Sequence, residues 1–289
     1  MRNVLLHAYR ASVWKLVQSR RDSVTIPTAH GLMTISTSDQ FISKALYVRR
    51  QYGQGVMQTA LELLRRHGKL TGSDPGYLID IGANVGTVCI KLLRDGAFQR
   101  ALAFEPDPMN FAFLQRNIAQ NNLTSKLRAF GLALSSDKGE MVLERSGENY
   151  GDHRLRTGSQ PAVSRFDEDQ REVTRVRVER LDDVLAAEGI EPSAIGLLWM
   201  DTQGHEVHVL RGSQKLLAHG TPVVTEFWPY GLSRAGISGA EFIEAVQGRF
   251  THFYDLREAR FAPADIAAVP ELFSRYPDVK FTDLLLLTL

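Results

Sequence analysis

Seven consecutive residues, Asp80-Ile81-Gly82-Ala83-Asn84-Val85-Gly86, carry the sharpest chemical signal in the chain. They follow a strand-like run, Tyr77 to Ile81, and open a helical one, so they occupy the turn at which open α/β sheets take up ligands. Glycines at 82 and 86 can adopt backbone conformations closed to other residues and leave no side chain between main chain and ligand. One helix and one strand later comes Glu105, where a carboxylate can accept hydrogen bonds from both hydroxyls of a ribose. A lone Gly-x-x-x-Gly turn could equally serve only to pack strand on helix. The acid in register at 105 favours a nucleoside. The nicotinamide fingerprint spaces its glycines Gly-x-Gly-x-x-Gly, whereas here they stand Gly-x-x-x-Gly with Asp80 two places ahead. That suits S-adenosylmethionine, which has no pyrophosphate to seat but has an ammonium group that a neighbouring acid can hold by a charge-assisted hydrogen bond.

The elements that must position these residues alternate. After a short N-terminal amphipathic helix and a small hairpin (Val24 to Ile26, Met33 to Ile35), a helix runs from about Gly53 to His67. Buried strands then alternate with helices: Tyr77 to Ile81, a helix to about Leu93, Ala101 to Phe104, a helix through Phe111 to Ile118, and Leu127 to Leu134. From Ser146 to Glu172 there is no apolar period, and the flanking runs, Met141 to Leu143 and Thr174 to Val178, predict an inserted hairpin. Beyond it the pattern predicts a helix at Leu181 to Ala187, a strand at Ile195 to Met200, a helix from Glu206 to Leu217 and a strand at Pro222 to Phe227. A helix at Ala240 to Val246 and strands at His252 to Leu256 and Asp283 to Leu289 close the chain. The expectation is an accessory region at 1–52 and one α/β domain at 53–289. That domain is a Rossmann-like, mostly parallel seven-stranded sheet with helices on both faces, an inserted β-hairpin and an antiparallel last strand.

Composition narrows the function. The 289 residues include 34 Lys and Arg against 33 Asp and Glu. A formal charge of +1 gives no global field to gather nucleic acid or an anionic membrane, so any charged partner is expected to be met locally, and no Asn-Pro-Pro-Tyr motif is present, so nucleic-acid methylation is disfavoured. The single cysteine, Cys89, excludes an intramolecular disulfide, and a cytoplasmic location is the expectation. No run reaches the roughly 18 to 20 apolar residues of a membrane span.

Five segments together resemble the FkbM-type methyltransferases of the class I S-adenosylmethionine-dependent group. They are YLIDIGANVGTVCIKLL, AFEPDPMNFAFLQRNIAQNN, GLALSSDKGE, VRVERLDDVL and LLWMDTQGHEVHVLRGSQKLL. The resemblance runs from about Gly53 to Leu289; Asp-Thr-Gln-Gly-x-Glu followed by Val-Leu-x-Gly is its most specific part. It implies that Asp80, Gly82, Asn84 and Gly86 surround the methionine end of the cofactor, that Glu105 holds its ribose, and that Leu134 and Ser135 lie near the adenine. It further implies O-methylation of a sugar, glycolipid or secondary metabolite.

Methyl transfer from a sulfonium centre needs alignment of acceptor oxygen, methyl carbon and sulfur, and a hydroxyl acceptor must also lose a proton. Asp201, at the end of the fourth parallel strand, is the first base expected, with Glu226 its neighbour across the rim and His153 in the long loop the alternative. The competing reading of Asp201 is a cap for the helix that follows. Asn149, Tyr150 and Arg154 in the long loop, and Trp228 past the fifth strand, are expected to touch the acceptor. His205 and His208 lack a clear third ligand, so no metal is expected. Two other readings remain: a nucleoside-binding protein without turnover, and a nicotinamide oxidoreductase, for which the glycine spacing is wrong. The acceptor and the oligomeric state are not legible.

Overall fold

Tyr77–Ile81 is buried at four of its five positions, a pattern needed only by a strand covered on both faces. It lies at the centre of the main sheet. In the computed structural model, which describes residues 2–70, 75–157, 165–258 and 262–289, the chain runs α1 (Arg2–Gln18), β1 (Ser23–Thr28), β2 (Gly31–Ser36), α2 (Ile42–Arg49), α3 (Gln54–Arg66), β3 (Tyr77–Ile81), α4 (Cys89–Arg94), β4 (Arg100–Phe104), α5 (Pro108–Gln120) and β5 (Leu127–Phe130). There follow β6 (Ala133–Leu134), β7 (Gly139–Arg145), β8 (Arg154–Leu155), β9 (Glu172–Glu179), α6 (Leu181–Ala187), β10 (Ile195–Met200), α7 (Glu206–Arg211) and α8 (Gln214–Ala218). The last elements are β11 (Val223–Phe227), α9 (Pro229–Arg234), α10 (Gly239–Val246), β12 (His252–Asp255), β13 (Ala264–Asp265), α11 (Val269–Arg275) and β14 (Thr282–Leu287).

The main sheet has eight strands in the order β13-β12-β14-β11-β10-β3-β4-β5. The five from β11 to β5 are parallel, and β14 enters antiparallel beside β11. This is the Rossmann-like methyltransferase arrangement, with one more strand than the sequence predicts: the two-residue β13 on the edge. Parallel pairing brings the carboxyl ends of β3, β4, β10 and β11 to one rim, and Gly82, Glu105, Asp201 and Glu226 all fall on it. Two apolar cores cover the faces. One contains Leu64, Ile90 and Leu114; the other contains Leu185, Leu217 and Phe242.

Some expectations require correction. Leu127 to Leu134 is two strands, because the chain leaves the main sheet after Phe130 and β6 joins a second, four-stranded sheet of order β6-β9-β7-β8. The antiparallel pair β7 and β9 is the inserted hairpin. The predicted helix from Glu206 to Leu217 breaks at Gly212, where an added Cβ would lie 2.0 Å from the Ser135 carbonyl. Helices α2, α9 and α11 were not anticipated. Within the long loop, β8 and a turn of 3₁₀ helix at Glu168–Gln170 are ordered, while 158–164 lie outside the described residues.

The accessory hairpin is welded to the main domain by paired amides. Asn117 Oδ1 accepts from Thr34 N–H at 2.7 Å and its Nδ2 donates to Thr34 O; Asn121 does the same for Leu32. Ile26, Met33 and Ile35 enter the core that covers α4 and α5.

Candidate functional site

Two cavities open at the carboxyl rim. The first is a slot of about 640 Å³ of atom-free space, whose apolar walls include Ile81, Phe104, Leu132 and Leu134, with Gly82, Asn84, Glu105, Tyr150 and His153 as polar or turn residues. The second is a cleft of about 1700 Å³ bounded by Phe41, Tyr52, Phe166, Trp228, Arg257 and Phe281. Both are lined by Asp201 and Gln203, so they meet there.

At the glycine turn the structure revises the reason for glycine. Gly82 has φ +78°, and a Cβ there would lie 2.0 Å from the Asp201 carbonyl; Gly86 has φ +93°, with Ile90 and Leu114 in the way. Glycine is thus demanded by chain-on-chain packing, and of the two only Gly82 lines the slot. Asp80 is buried behind the turn, its Oδ2 accepting from Cys89 N–H at 3.0 Å, and burial pushes its carboxyl up to about 6. Cys89 is a buried thiol whose ionisation burial opposes. Asn84, at φ 50°, donates its Nδ2 to Tyr150 O at 2.8 Å, and Asn110 Nδ2 donates to the same carbonyl at 3.0 Å. That residue therefore fastens the inserted loop to the turn.

Glu105 is fully enclosed. Its two oxygens accept from the N–H groups of Asn84 (2.8 Å) and Asp107 (2.9 Å), leaving lone pairs on each for further donors. Burial raises its carboxyl to about 8 against the pull of those donors. Leu134 is a slot wall, whereas Ser135 is buried and its Oγ meets His205 Nε2 at 2.9 Å. His205 stacks on His208 at 4.3 Å between ring centroids, and burial pushes it down to about 3, so it is a neutral ring.

At the junction Gln203, at φ 56°, donates its Nε2 to Asp201 Oδ1 at 2.6 Å and to Glu226 Oε2 at 3.0 Å. A bulky residue at positive φ is strained and persists only where its surroundings hold it. No side chain caps the first turn of α7, so Asp201 is not its cap; Glu206 Oε1 instead ties down the preceding turn, accepting from Thr202 N–H, Thr202 Oγ1 and Gly204 N–H. The Asp201 carboxyl is raised to about 7, first by burial, with Asp283 and Glu206 adding to it and Gln203 opposing. Asp201 is exposed to solvent at the mouth of the cavities, and that contact tempers the push. Glu226 is driven higher, by its own burial and by the charge on Asp201. The pair thus releases its first proton at Asp201.

The remaining expected residues divide. His153 is a buried slot wall, not a solvated loop residue. Its Nδ1 accepts from Ser146 N–H, which leaves the proton on Nε2, and burial lowers it to about 4. Asn149 and Trp228 line the cleft and Tyr150 the slot. Arg154 lies inside the fold, paired with Asp152 and Glu168 and stacked over Trp228 at 4.6 Å, so its charge braces the loop. Sequence reasoning missed Phe41, Tyr52, Arg257 and Phe281. Tyr52 belongs to the region set apart as accessory, and Arg257, held to Asp283 at 2.6 Å, comes from a strand end with no motif. Among the described residues, no group of three or more His, Cys, Asp or Glu is placed to hold a metal ion.

The slot fits a nucleoside: apolar walls for a flat base, and Glu105 with lone pairs left for a diol. Comparison with known proteins agrees on the class. The chain is 30% identical over 158 residues to "Methyltransferase sdnD" of Sordaria araneosa, covering 47% of this chain and 60% of that relative. It is 28% identical over 190 residues to "2-O-methyltransferase NoeI" of Sinorhizobium fredii, covering 62% and 74%. Among solved structures, P. horikoshii TYW2 in complex with MeSAdo is similar with a TM-score of 0.46 at 10% identity, covering 97% of this chain and 83% of that one, a likeness too distant to bear on mechanism. The profile of the methyltransferase FkbM domain matches residues 80–259, more than half of the chain, and the chain belongs to that family.

Proposed function

We propose that the chain is an S-adenosylmethionine-dependent O-methyltransferase acting on a hydroxyl of a sugar, glycolipid or secondary metabolite. The observation that carries this reading is the meeting of slot and cleft at Asp201 and Gln203. A cofactor in the slot and an acceptor in the cleft would face each other there, beside a carboxylate that titrates near neutrality. The printed name of the Sinorhizobium relative, a 2-O-methyltransferase, supports oxygen as the atom methylated.

When bound, S-adenosylmethionine supplies an electrophilic methyl group. Glu105 would accept from its ribose hydroxyls, and the apolar walls at Phe104, Leu132 and Leu134 would enclose its base. Asp201 would take the proton that an acceptor hydroxyl in the cleft loses. General-base efficiency is greatest when the base titrates near the working pH. A carboxylate raised above its ordinary range approaches that condition, whereas His153, lowered to about 4 by burial, moves away from it. Gln203 fixes the Asp201 carboxylate and spends both Nε2 protons on the pair. Glu226, still protonated when Asp201 ionises, can donate to a second acceptor hydroxyl.

The test is transfer of labelled methyl from S-adenosylmethionine to a panel of neutral sugars, glycolipids and polyols, with homocysteine-nucleoside release read in parallel. Labelled ether products that vanish with Asp201→Asn support the reading. Label on nitrogen or carbon, or an unaffected Asp201→Asn, contradicts it.

A further inference from the structure

Charge is divided unevenly along the chain. Residues 1–52 hold eight Lys and Arg and two Asp, which leaves 26 Lys and Arg against 31 Asp and Glu in the rest. A region of +6 thus sits on a domain of −5. Helix α1 and the two arginines that follow it, Arg20 and Arg21, contain no acid.

Helix α1 is apolar on two opposite sides. One side packs on α2: Trp14 is 1% exposed and lies 4.9 Å from the Tyr47 ring, and Arg10 Nη1 donates to Val48 O. Leu5, Tyr9, Ser12 and Leu16, spaced four, three and four apart, form a stripe on the other side. Leu5 is 69% exposed, Tyr9 64% and Leu16 50%, with Val4 exposed beside them. No element of the described fold covers these residues. Lys15, Arg20 and Arg21 are exposed at the C-terminal end of the same helix.

We propose that α1 is a membrane-surface helix, laying its Leu5-Tyr9-Leu16 stripe into the interface of an anionic lipid bilayer while its cations meet the headgroups. Leucine and tyrosine beside lysine and arginine, with no acid, is the composition of interfacial helices, and each cation near an anionic leaflet adds to the attraction. Nucleic acid would use the cations but gives no account of the exposed leucines. Among the described residues no helix is long and apolar enough to cross a membrane, so α1 lies on the surface.

The test is co-sedimentation of the full chain with vesicles of phosphatidylcholine alone and of phosphatidylcholine mixed with phosphatidylglycerol, at low and high salt. Two variants are compared: Leu5→Glu/Tyr9→Glu/Leu16→Glu, and Lys15→Glu/Arg20→Glu/Arg21→Glu, with melting temperature as the control for folding. The expected result is salt-sensitive binding to the anionic vesicles that drops at least about tenfold in each variant. Absence of wild-type binding to anionic vesicles, or binding untouched by the apolar variant, would overturn the proposal. So would a wild-type dimer that the apolar variant makes monomeric without vesicle binding, which assigns the stripe to a second copy. Binding to poly(U) in place of vesicles, lost only in the charge variant, would overturn it in favour of nucleic acid.

Discussion

The slot and the cleft meet at Asp201 and Gln203 but are built on different plans. The slot takes its floor from the ends of neighbouring parallel strands and the turns directly after them, Ile81 and Gly82, Phe104 and Glu105, and is closed by Tyr150 and His153 of the inserted loop. That floor follows from the sheet's hydrogen bonding and cannot change without disturbing it. The cleft gathers Phe41 and Tyr52 from the N-terminal region, Asn149 and Phe166 from the inserted loop, Trp228 from beyond β11, and Arg257 and Phe281 from the C-terminal strands. Of these, Phe41, Tyr52, Phe166 and Phe281 are among the exposed large apolar residues of the molecule. A fixed slot beside a cleft assembled from separate excursions lets the acceptor vary while the cofactor chemistry stays put.

The largest expected effect falls where the two cavities meet. Asp201→Asn keeps shape and loses basicity, so kcat on the acceptor found by methyl-label screening should fall about 10²- to 10⁴-fold, with nucleoside affinity nearly unchanged. Equal loss of nucleoside affinity would mean that Asp201 belongs to the slot alone.

Next is a property of the slot alone. Glu105 titrates near 8 in the fold against an ordinary 4.5, so the ligand-free folded protein holds a proton that the unfolded chain releases. Its contribution to stability is present below about pH 4.5 and is lost as pH rises through 8, on the order of a few kcal/mol. Unfolding midpoints of ligand-free protein should therefore decline across that window, and Glu105→Gln should flatten the decline. A slope the variant leaves unaltered would remove Glu105 as its source.

Smaller effects sharpen the cleft. Phe281→Ala should raise KM for the acceptor about three- to tenfold, as loss of one aromatic contact does, and leave nucleoside binding alone. Smallest of all is Glu226→Gln. Because Glu226 is still protonated when Asp201 ionises, the amide imitates it, and the rising limb of kcat/KM near pH 7 should stay within about half a unit. Displacement of the limb by a full unit or more would show that Glu226 ionises first.

The same contrast explains what the sequence discloses. The alternation of buried strands and helices, the glycine turn and Glu105 are local patterns, so the mostly parallel sheet and the floor of the slot can be read from short windows. Strand ends and helix breaks are less legible: Gly212 breaks a helix because the Ser135 carbonyl lies against it, a contact 77 positions away in the chain. The cleft is largely hidden, since nothing near Phe41 or Phe281 says that they converge. Arg154 was misjudged for a related reason: an arginine in a polar loop reads as a ligand-seeking cation, while Glu168, fourteen residues on, already neutralises it inside the fold. Gln203 was legible as a residue but not as a bridge, because its positive φ and its two carboxylate partners exist only in three dimensions.

The most direct test of the account is calorimetric titration of the purified, nucleoside-free protein with S-adenosylhomocysteine, with NAD(H) in parallel, on wild type and Glu105→Ala. The account predicts micromolar-range binding of the homocysteine nucleoside that weakens about 10- to 100-fold in the variant, as loss of buried hydrogen bonds to a diol would give, and no response to NAD(H). A folded, nucleoside-free wild type that fails to bind S-adenosylhomocysteine would contradict it and leave the glycine turn as packing.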